Sequence, residues 1–61
     1  MGTSFTLYLF DQDSGELVNV VRKVQGQDVA RSLANQYYHS DDFAVKVVDE
    51  YDGAVCCTWG M

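Results

Sequence analysis

Residues 43–59 read FAVKVVDEYDGAVCCTW, which is two apolar runs around a cluster of turn-forming residues. Branched and aromatic residues on both sides of an Asp-Gly pair are typical of a β-hairpin with a tight type I′ turn. Centring the turn on Asp52-Gly53 predicts strands over Phe43–Val48 and Ala54–Trp59. Neighbouring residues of each strand then alternate between the two faces of the sheet.

A second hairpin is predicted nearer the start of the chain. The segment Phe5–Phe10 is rich in aromatic and branched residues, and residues 11–16 read DQDSGE, a dense cluster of turn formers. Leu17–Val24 then follows as a returning strand. A tight Ser14-Gly15 turn and a six-residue loop both contain an even number of residues. Either one places odd residues of the first strand beside even residues of the second.

Helical periodicity occurs between the two hairpins, over Gln27–His39. The apolar arc of this predicted helix contains Val29, Ala30, Leu33, Ala34 and Tyr37. The order of elements predicts an α+β fold. We expect a single small ββαββ domain over residues 1–61, with a four-stranded, largely antiparallel sheet and one helix packed on one face. The strand order stays open.

Both faces of this sheet are apolar, whereas a helix about 20 Å long and about 10 Å across covers only one. We predict that the helix covers the more aliphatic face, formed by Phe5, Leu7, Leu9, Val18, Val20, Val45 and Val47. The uncovered face is predicted to carry Tyr8, Phe10, Leu17, Val21, Val48, Val55, Cys57 and Trp59. Large apolar patches generally mark a partner or ligand surface, so this set is a candidate oligomer or ligand interface. The alternative is a small sheet that tolerates exposed aromatic side chains.

The short chain favours self-association. A domain of 61 residues buries only about 60% of its unfolded surface, and its core supplies about 3–5 kcal/mol, so disulfides, a metal or oligomerisation usually add stability. Cys56 and Cys57 are neighbours on a predicted strand and are expected to point to opposite faces, where they cannot bridge. We therefore expect a homodimer, formed by stacking two sheets or by pairing edge strands.

Nine acidic and four basic residues give the chain a net charge of −5. This balance argues against direct nucleic-acid binding through phosphates. In the predicted topology the first turn and the end of the helix lie at the same end of the sheet, which gathers Asp11, Asp13, Glu16, Asp41 and Asp42. This acidic end is a candidate surface for a basic protein partner. The alternative is that these acids only form turns and keep the chain soluble.

Motifs for catalysis or cofactor binding are absent from the sequence. It contains no Gly-rich phosphate loop, nucleophile elbow or paired acid motif. Adjacent cysteines lack the C-x₂₋₄-C spacing of zinc sites, and the calcium-loop pattern that begins at Asp11 lacks its Gly at position six and its Glu at position twelve. His39 lies on the polar arc of the helix. We predict no catalytic residue, no metal, no cofactor and no enzymatic activity.

The function that the sequence favours is a homo-oligomeric protein-interaction module that binds and modulates or inhibits a larger protein. Its compact, proline-free, acidic chain would suit an inhibitor from a phage or other mobile element. With no apolar run of about 18 residues, no secretory signal and two unpairable cysteines, we expect no membrane association and a cytoplasmic location. The alternative function is binding of a small, nucleotide-like ligand in an aromatic groove of Tyr8, Phe10 and Trp59 at a subunit interface.

Overall fold

A computed structural model describes residues 3–61, and the first two residues of the predicted domain lie outside the described residues. Its elements are β1 Ser4–Asp11, β2 Leu17–Gln25, α1 Gln27–Asp41, β3 Phe43–Asp49 and β4 Val55–Trp59. The strands form one antiparallel sheet in the order β2-β1-β3-β4. The predicted ββαββ fold is therefore confirmed.

The strand order places the two most deeply buried strands, β1 and β3, at the centre of the sheet. Because β2 and β3 both run antiparallel to β1, they are parallel to each other, with β1 between them. The segment that joins them must cross β1 on one side of the sheet, and α1 makes this crossing. The helix packs chiefly on β1 and β3.

The core lies between α1 and one face of the two central strands. Leu7, Leu9, Val45 and Val47 are at most 1% exposed, as the prediction for the covered face required. Helix α1 contributes Ala30 and Ala34, both fully buried, whose small side chains let the helix lie close to the sheet. Phe5 and Val24 complete this cluster, while Val29 of the predicted apolar arc is half exposed.

Helix α1 extends two residues beyond its predicted end at His39. It ends where Asp42 adopts the left-handed conformation, with φ 58°, and donates its backbone N–H to the Tyr37 carbonyl. Aspartate tolerates this conformation better than most residues, so it can replace the glycine that often ends a helix. The next residue, Phe43, begins β3.

The two hairpin turns share one geometry, a four-residue loop, which is neither the predicted tight turn nor the six-residue loop that was the alternative for the first hairpin. In the first, Asp11 and Glu16 close a four-residue loop, and Asp11 also accepts the Gly15 N–H at 2.8 Å. In the second, Asp49 and Ala54 close the loop in the same way, and the Gly53 N–H donates to the Asp49 carbonyl at 2.8 Å. The prediction of a type I′ turn centred on Asp52-Gly53 is therefore wrong.

A β-bulge follows each turn at the same distance from its glycine. Leu17 pairs with Phe10 and Asn19 pairs with Leu9, so Val18 is the extra residue in β2. From this point Val21, not Val20, lies beside Leu7. The predicted faces of Val20 and Val21 are therefore exchanged, because a one-residue shift turns every later side chain to the other face.

The bulge in β4 changes its register in the same manner. Val55 pairs with Val48 and Cys57 pairs with Val47, which leaves Cys56 as the extra residue. Trp59 consequently lies beside Val45. Cys57 and Trp59 were predicted on the uncovered face, and the structure corrects both to the side covered by α1, where they pack against the core.

Candidate functional site

The face of the sheet opposite α1 is the main candidate surface, and we call it the open face. Its large side chains are Tyr8, Phe10, Leu17, Val20, Lys46, Val48 and Val55. Leu17 is 51% exposed and Val55 is 54% exposed, whereas the others are intermediate. Among residues 3–61, α1 is the helix that packs on the sheet, and it occupies the other side. The apolar side chains of the open face are therefore accessible to a partner.

The open face contains five of the eight residues predicted for the interface. These are Tyr8, Phe10, Leu17, Val48 and Val55. The other three, Val21, Cys57 and Trp59, lie on the covered side as partly buried neighbours of the core. Sequence reasoning missed Val20, which lies beside Tyr8. The predicted aromatic groove also does not form, because Trp59 is separated from Tyr8 and Phe10 by the sheet.

One edge of the open face is organised around the carboxylate of Glu50. A second bulge in β2 sets Arg22 and Lys23 opposite the single residue Thr6, and Lys23 has a φ of 58°. The Lys23 N–H donates to Glu50 Oε2 at 2.8 Å, and the Thr6 hydroxyl donates to the same oxygen at 2.7 Å. The Lys23 N–H bond, followed by the Thr6 bond, lowers the pKa of the Glu50 carboxyl. Glu50 thus connects the turn of the second hairpin to β2, the edge strand farthest from β4.

Basic side chains concentrate around this carboxylate. Arg22 and Lys23 line a hollow of about 370 Å³ together with Tyr8 and Val48. The Lys46 Nζ lies 5.5 Å from the centre of the Tyr8 ring, within the range of a cation–π contact. The open face therefore carries three of the four basic residues of an acidic chain.

The predicted acidic end forms a separate surface. Asp11, Asp13, Asp41 and Asp42 line one concave region, next to the exposed side chain of Glu16. Two of these acids also maintain local structure. Asp11 Oδ1 accepts the N–H of Asp13 at 2.8 Å, and Asp42 ends the helix. The structure shows the turn-forming role for these two residues, and binding of a partner by this region stays a prediction.

Among the remaining reactive side chains, His39 lies apart from the two cysteines. His39 is near the end of α1 and stacks edge-on with Tyr38 at 5.0 Å, while Gln27 at the start of α1 contacts Cys56. Twelve helical residues separate these two positions by roughly 18 Å. Within residues 3–61, no group of three or more His, Cys, Asp or Glu side chains is arranged to hold a metal ion.

Comparisons with protein-family models, with curated proteins and with solved structures found no match. Among the residues that the structure describes, no helix has both the length and the apolar character needed to cross a membrane.

Proposed function

We propose that the protein is a small interaction module that forms a homodimer through its open face and presents its acidic end to a larger protein. The observation that carries this proposal is the exposure of apolar side chains on a sheet face that no described element covers. Contiguous apolar surfaces of this kind generally mark interfaces in small proteins.

Burial of the open face would add stability that a small core lacks. Fully burying a Val or Leu side chain contributes about 1.5–3 kcal/mol, and Leu17 and Val55 have about half of this still to gain. Tyr8, Phe10, Val20 and Val48 are intermediate and would contribute smaller amounts. Stacking the open faces of two copies would bury all six side chains in a sandwich-like centre.

Charge on the open face favours one arrangement of the two copies. Lys46 lies in the middle of the face and would be repelled by a Lys46 placed directly opposite. Glu50 provides a negative charge at the edge of the same face. In a two-fold dimer each contact occurs twice, so Lys46 of each copy can approach Glu50 of the other.

The acidic end would stay accessible in such a dimer, because it lies at the first turn and the end of α1. A concentrated negative charge increases the rate at which a basic partner associates and makes that rate dependent on salt. We propose that this surface binds a basic region of a larger protein and modulates or inhibits it.

The dimer is tested with two valines of nearly equal exposure. Val55 on the open face is 54% exposed, and Val29 on the outer side of α1 is 51% exposed. Light scattering on the full-length protein should show a dimer for the wild type and for Val29→Asp. It should show a monomer for Val55→Asp, because the buried carboxylate would be unpaired. A monomeric wild type at high concentration, or equal behaviour of the two variants, contradicts the proposal.

A second candidate function is binding of a flat, anionic ligand such as a nucleotide in the hollow beside Glu50. The observation that favours it is that Arg22 and Lys23 line this hollow with Tyr8, while the Lys46 Nζ lies 5.5 Å from the centre of the Tyr8 ring. Titration with adenosine monophosphate should then show binding that Arg22→Ala weakens and that Arg31→Ala, on the helix, leaves unchanged. Equal affinity of the two variants for adenosine monophosphate would show that the hollow is not the binding site.

A further inference from the structure

The two cysteines are brought together by the bulge in β4. Neighbours on a regular strand point to opposite faces, and the sequence predicted this for Cys56 and Cys57. Because Cys56 is the extra residue of the bulge, both side chains instead pack on the covered side of the sheet. Their sulfur atoms lie 3.6 Å apart, with the Cys57 thiol donating to Cys56. The prediction that they diverge is wrong.

Helix α1 supplies polar groups to this pair. Gln27, the first residue of the helix, donates its side-chain N–H to Cys56 Sγ at 3.4 Å. Burial raises the pKa of the Cys57 thiol, the contact with Cys56 raises it further, and the positive charge of Arg31 opposes the rise. Both cysteines are partly exposed, so a small reagent can reach them.

The distance between the sulfurs favours a bridging atom over a direct disulfide. A disulfide needs sulfurs about 2.0 Å apart and Cα atoms about 4.4–6.8 Å apart. Adjacent residues have Cα atoms about 3.8 Å apart, so their disulfide is strained. Two bonds of about 2.3 Å to one atom, at an angle between about 95° and 110°, hold the sulfurs about 3.4–3.8 Å apart. The observed 3.6 Å lies within this range.

The number of available ligands restricts which atom fits. Zinc in a structural site takes four protein ligands, whereas no third His, Cys, Asp or Glu joins the pair among residues 3–61. A trivalent arsenical needs only two sulfurs, since it carries its own third substituent. Soft thiolate sulfur is also the preferred donor for soft, thiophilic centres.

We propose that Cys56 and Cys57 form a preorganised dithiol site for trivalent arsenicals. An arsonous acid, RAs(OH)₂, reacts with both thiols. Two As–O bonds break, two As–S bonds form, and each thiol proton leaves with a hydroxide as water. No electrons are transferred. The site lies on the opposite side of the sheet from the open face, so it is independent of the proposed dimer.

The test uses phenylarsine oxide with the reduced full-length protein. Native mass spectrometry should show one phenylarsenic group per chain. The melting temperature followed by circular dichroism should rise, because a ligand that prefers the folded state stabilises it. Cys56→Ser and Cys57→Ser should each weaken binding by about 10²- to 10⁴-fold, since the second bond benefits from effective concentration.

Several results would overturn the proposal. An absent adduct, or an adduct of equal stability in a single serine variant, would show that the two sulfurs do not act together. An adduct without a rise in melting temperature would show that the fold does not preorganise them. If zinc chloride binds more tightly than phenylarsine oxide in a parallel titration, the assignment of the site to trivalent arsenicals is wrong. If Cys57→Ser fails to fold, Cys56→Ser, at the extra residue of the bulge, carries the comparison.

Discussion

The hairpins β1–β2 and β3–β4 use the same turn but place different residues in the bulge that follows it. In each, an aspartate precedes a four-residue loop, a glycine with φ near 77° ends it, and the bulge lies three residues beyond the glycine. The bulged residue is Val18 in one hairpin and Cys56 in the other. The same turn and bulge therefore leave a valine exposed in the first hairpin and bring two sulfur atoms together in the second.

The hairpins also differ in how their outer strands are held. Strand β2 has a second bulge, at Arg22 and Lys23, whose backbone is fixed by Glu50 from the turn of the other hairpin. Strand β4 instead packs Cys57 and Trp59 against the core. Both outer strands bury apolar side chains, since Val24 of β2 also lies in the core, and the first hairpin adds a polar contact with the turn of the second.

The largest expected effect on stability distinguishes β1, the inner strand of the first hairpin, from β2, its outer strand. Leu9 in β1 is 1% exposed and Leu17 in β2 is 51% exposed. Leu9→Ala should lower the free energy of unfolding by about 2–5 kcal/mol, because it leaves a cavity between both hairpins and the helix. Leu17→Ala should lower it by less than about 1 kcal/mol. Urea denaturation at low protein concentration measures both, and similar losses would contradict the assignment of β1 to the centre.

An effect of intermediate size tests whether the two turns are equivalent. Gly15 has a φ of 78° and Gly53 a φ of 76°, and a Cβ atom would meet no neighbour within 4 Å at either position. Alanine at each should therefore lower stability by a similar amount, about 1–2 kcal/mol, through backbone conformation alone. Unequal losses in urea denaturation would show that the turns differ in strain.

A smaller effect concerns the contact between the hairpins. The pKa of Glu50 is lowered in the folded state. Its carboxylate therefore stabilises the fold above the unfolded pKa, about 4.3, and this contribution is lost as the pH falls through the lower folded value. The wild type should be more stable than Glu50→Gln at pH 7, and the two should converge in acid.

The matched control for Glu50→Gln is Glu16→Gln in the first turn, where the backbone carbonyl of Glu16 accepts the Asp11 N–H. This variant removes a turn carboxylate that makes neither of the two hydrogen bonds that hold Glu50. Thermal melts between pH 2 and pH 7 measure both curves. If the difference in melting temperature between wild type and Glu50→Gln is the same at every pH, the ionised carboxylate does not stabilise the second β2 bulge.

Sequence patterns predicted the elements of this fold well and the registers of its outer strands poorly. Alternation in β1 and β3 identified their buried faces, because no bulge interrupts the pairing of these two strands. In β2 and β4 a single extra residue exchanged the faces of the odd-numbered and even-numbered positions that follow it. Val21, Cys57 and Trp59 therefore lie on the covered side. The alternation of side chains along a strand sequence does not reveal where such an extra residue lies. The repeated spacing D-x₃-G, at residues 11–15 and 49–53, was the signal of a shared turn.

Charge was predictable only in part. The acidic end followed from topology, because the first turn and the helix terminus had to meet at one end of the sheet. The positions of Arg22 and Lys23 on the open face did not follow, since they depend on the β2 register and on the bulge at Lys23. A net charge of −5 also conceals this local surplus.

The smallest perturbation of stability gives the sharpest test of the shared bulge. If the bulge itself aligns neighbouring side chains, cysteines at its equivalent in the first hairpin should also form a dithiol. With both native cysteines changed to serine, Val18→Cys with Asn19→Cys should restore binding of phenylarsine oxide. Binding should be weaker than in the wild type, because Val18 is 53% exposed and the Gln27 donor lies on the other hairpin.

The control places the same dipeptide in the regular part of β2. Val20 and Val21 pair with Tyr8 and Leu7 in unbroken register, so their side chains point to opposite faces. Val20→Cys with Val21→Cys should therefore bind far more weakly than the pair at residues 18 and 19. Equal binding by the two transplanted pairs would mean that any adjacent cysteines suffice. Because both pairs share one strand and one background, the difference between them isolates the geometry of the bulge.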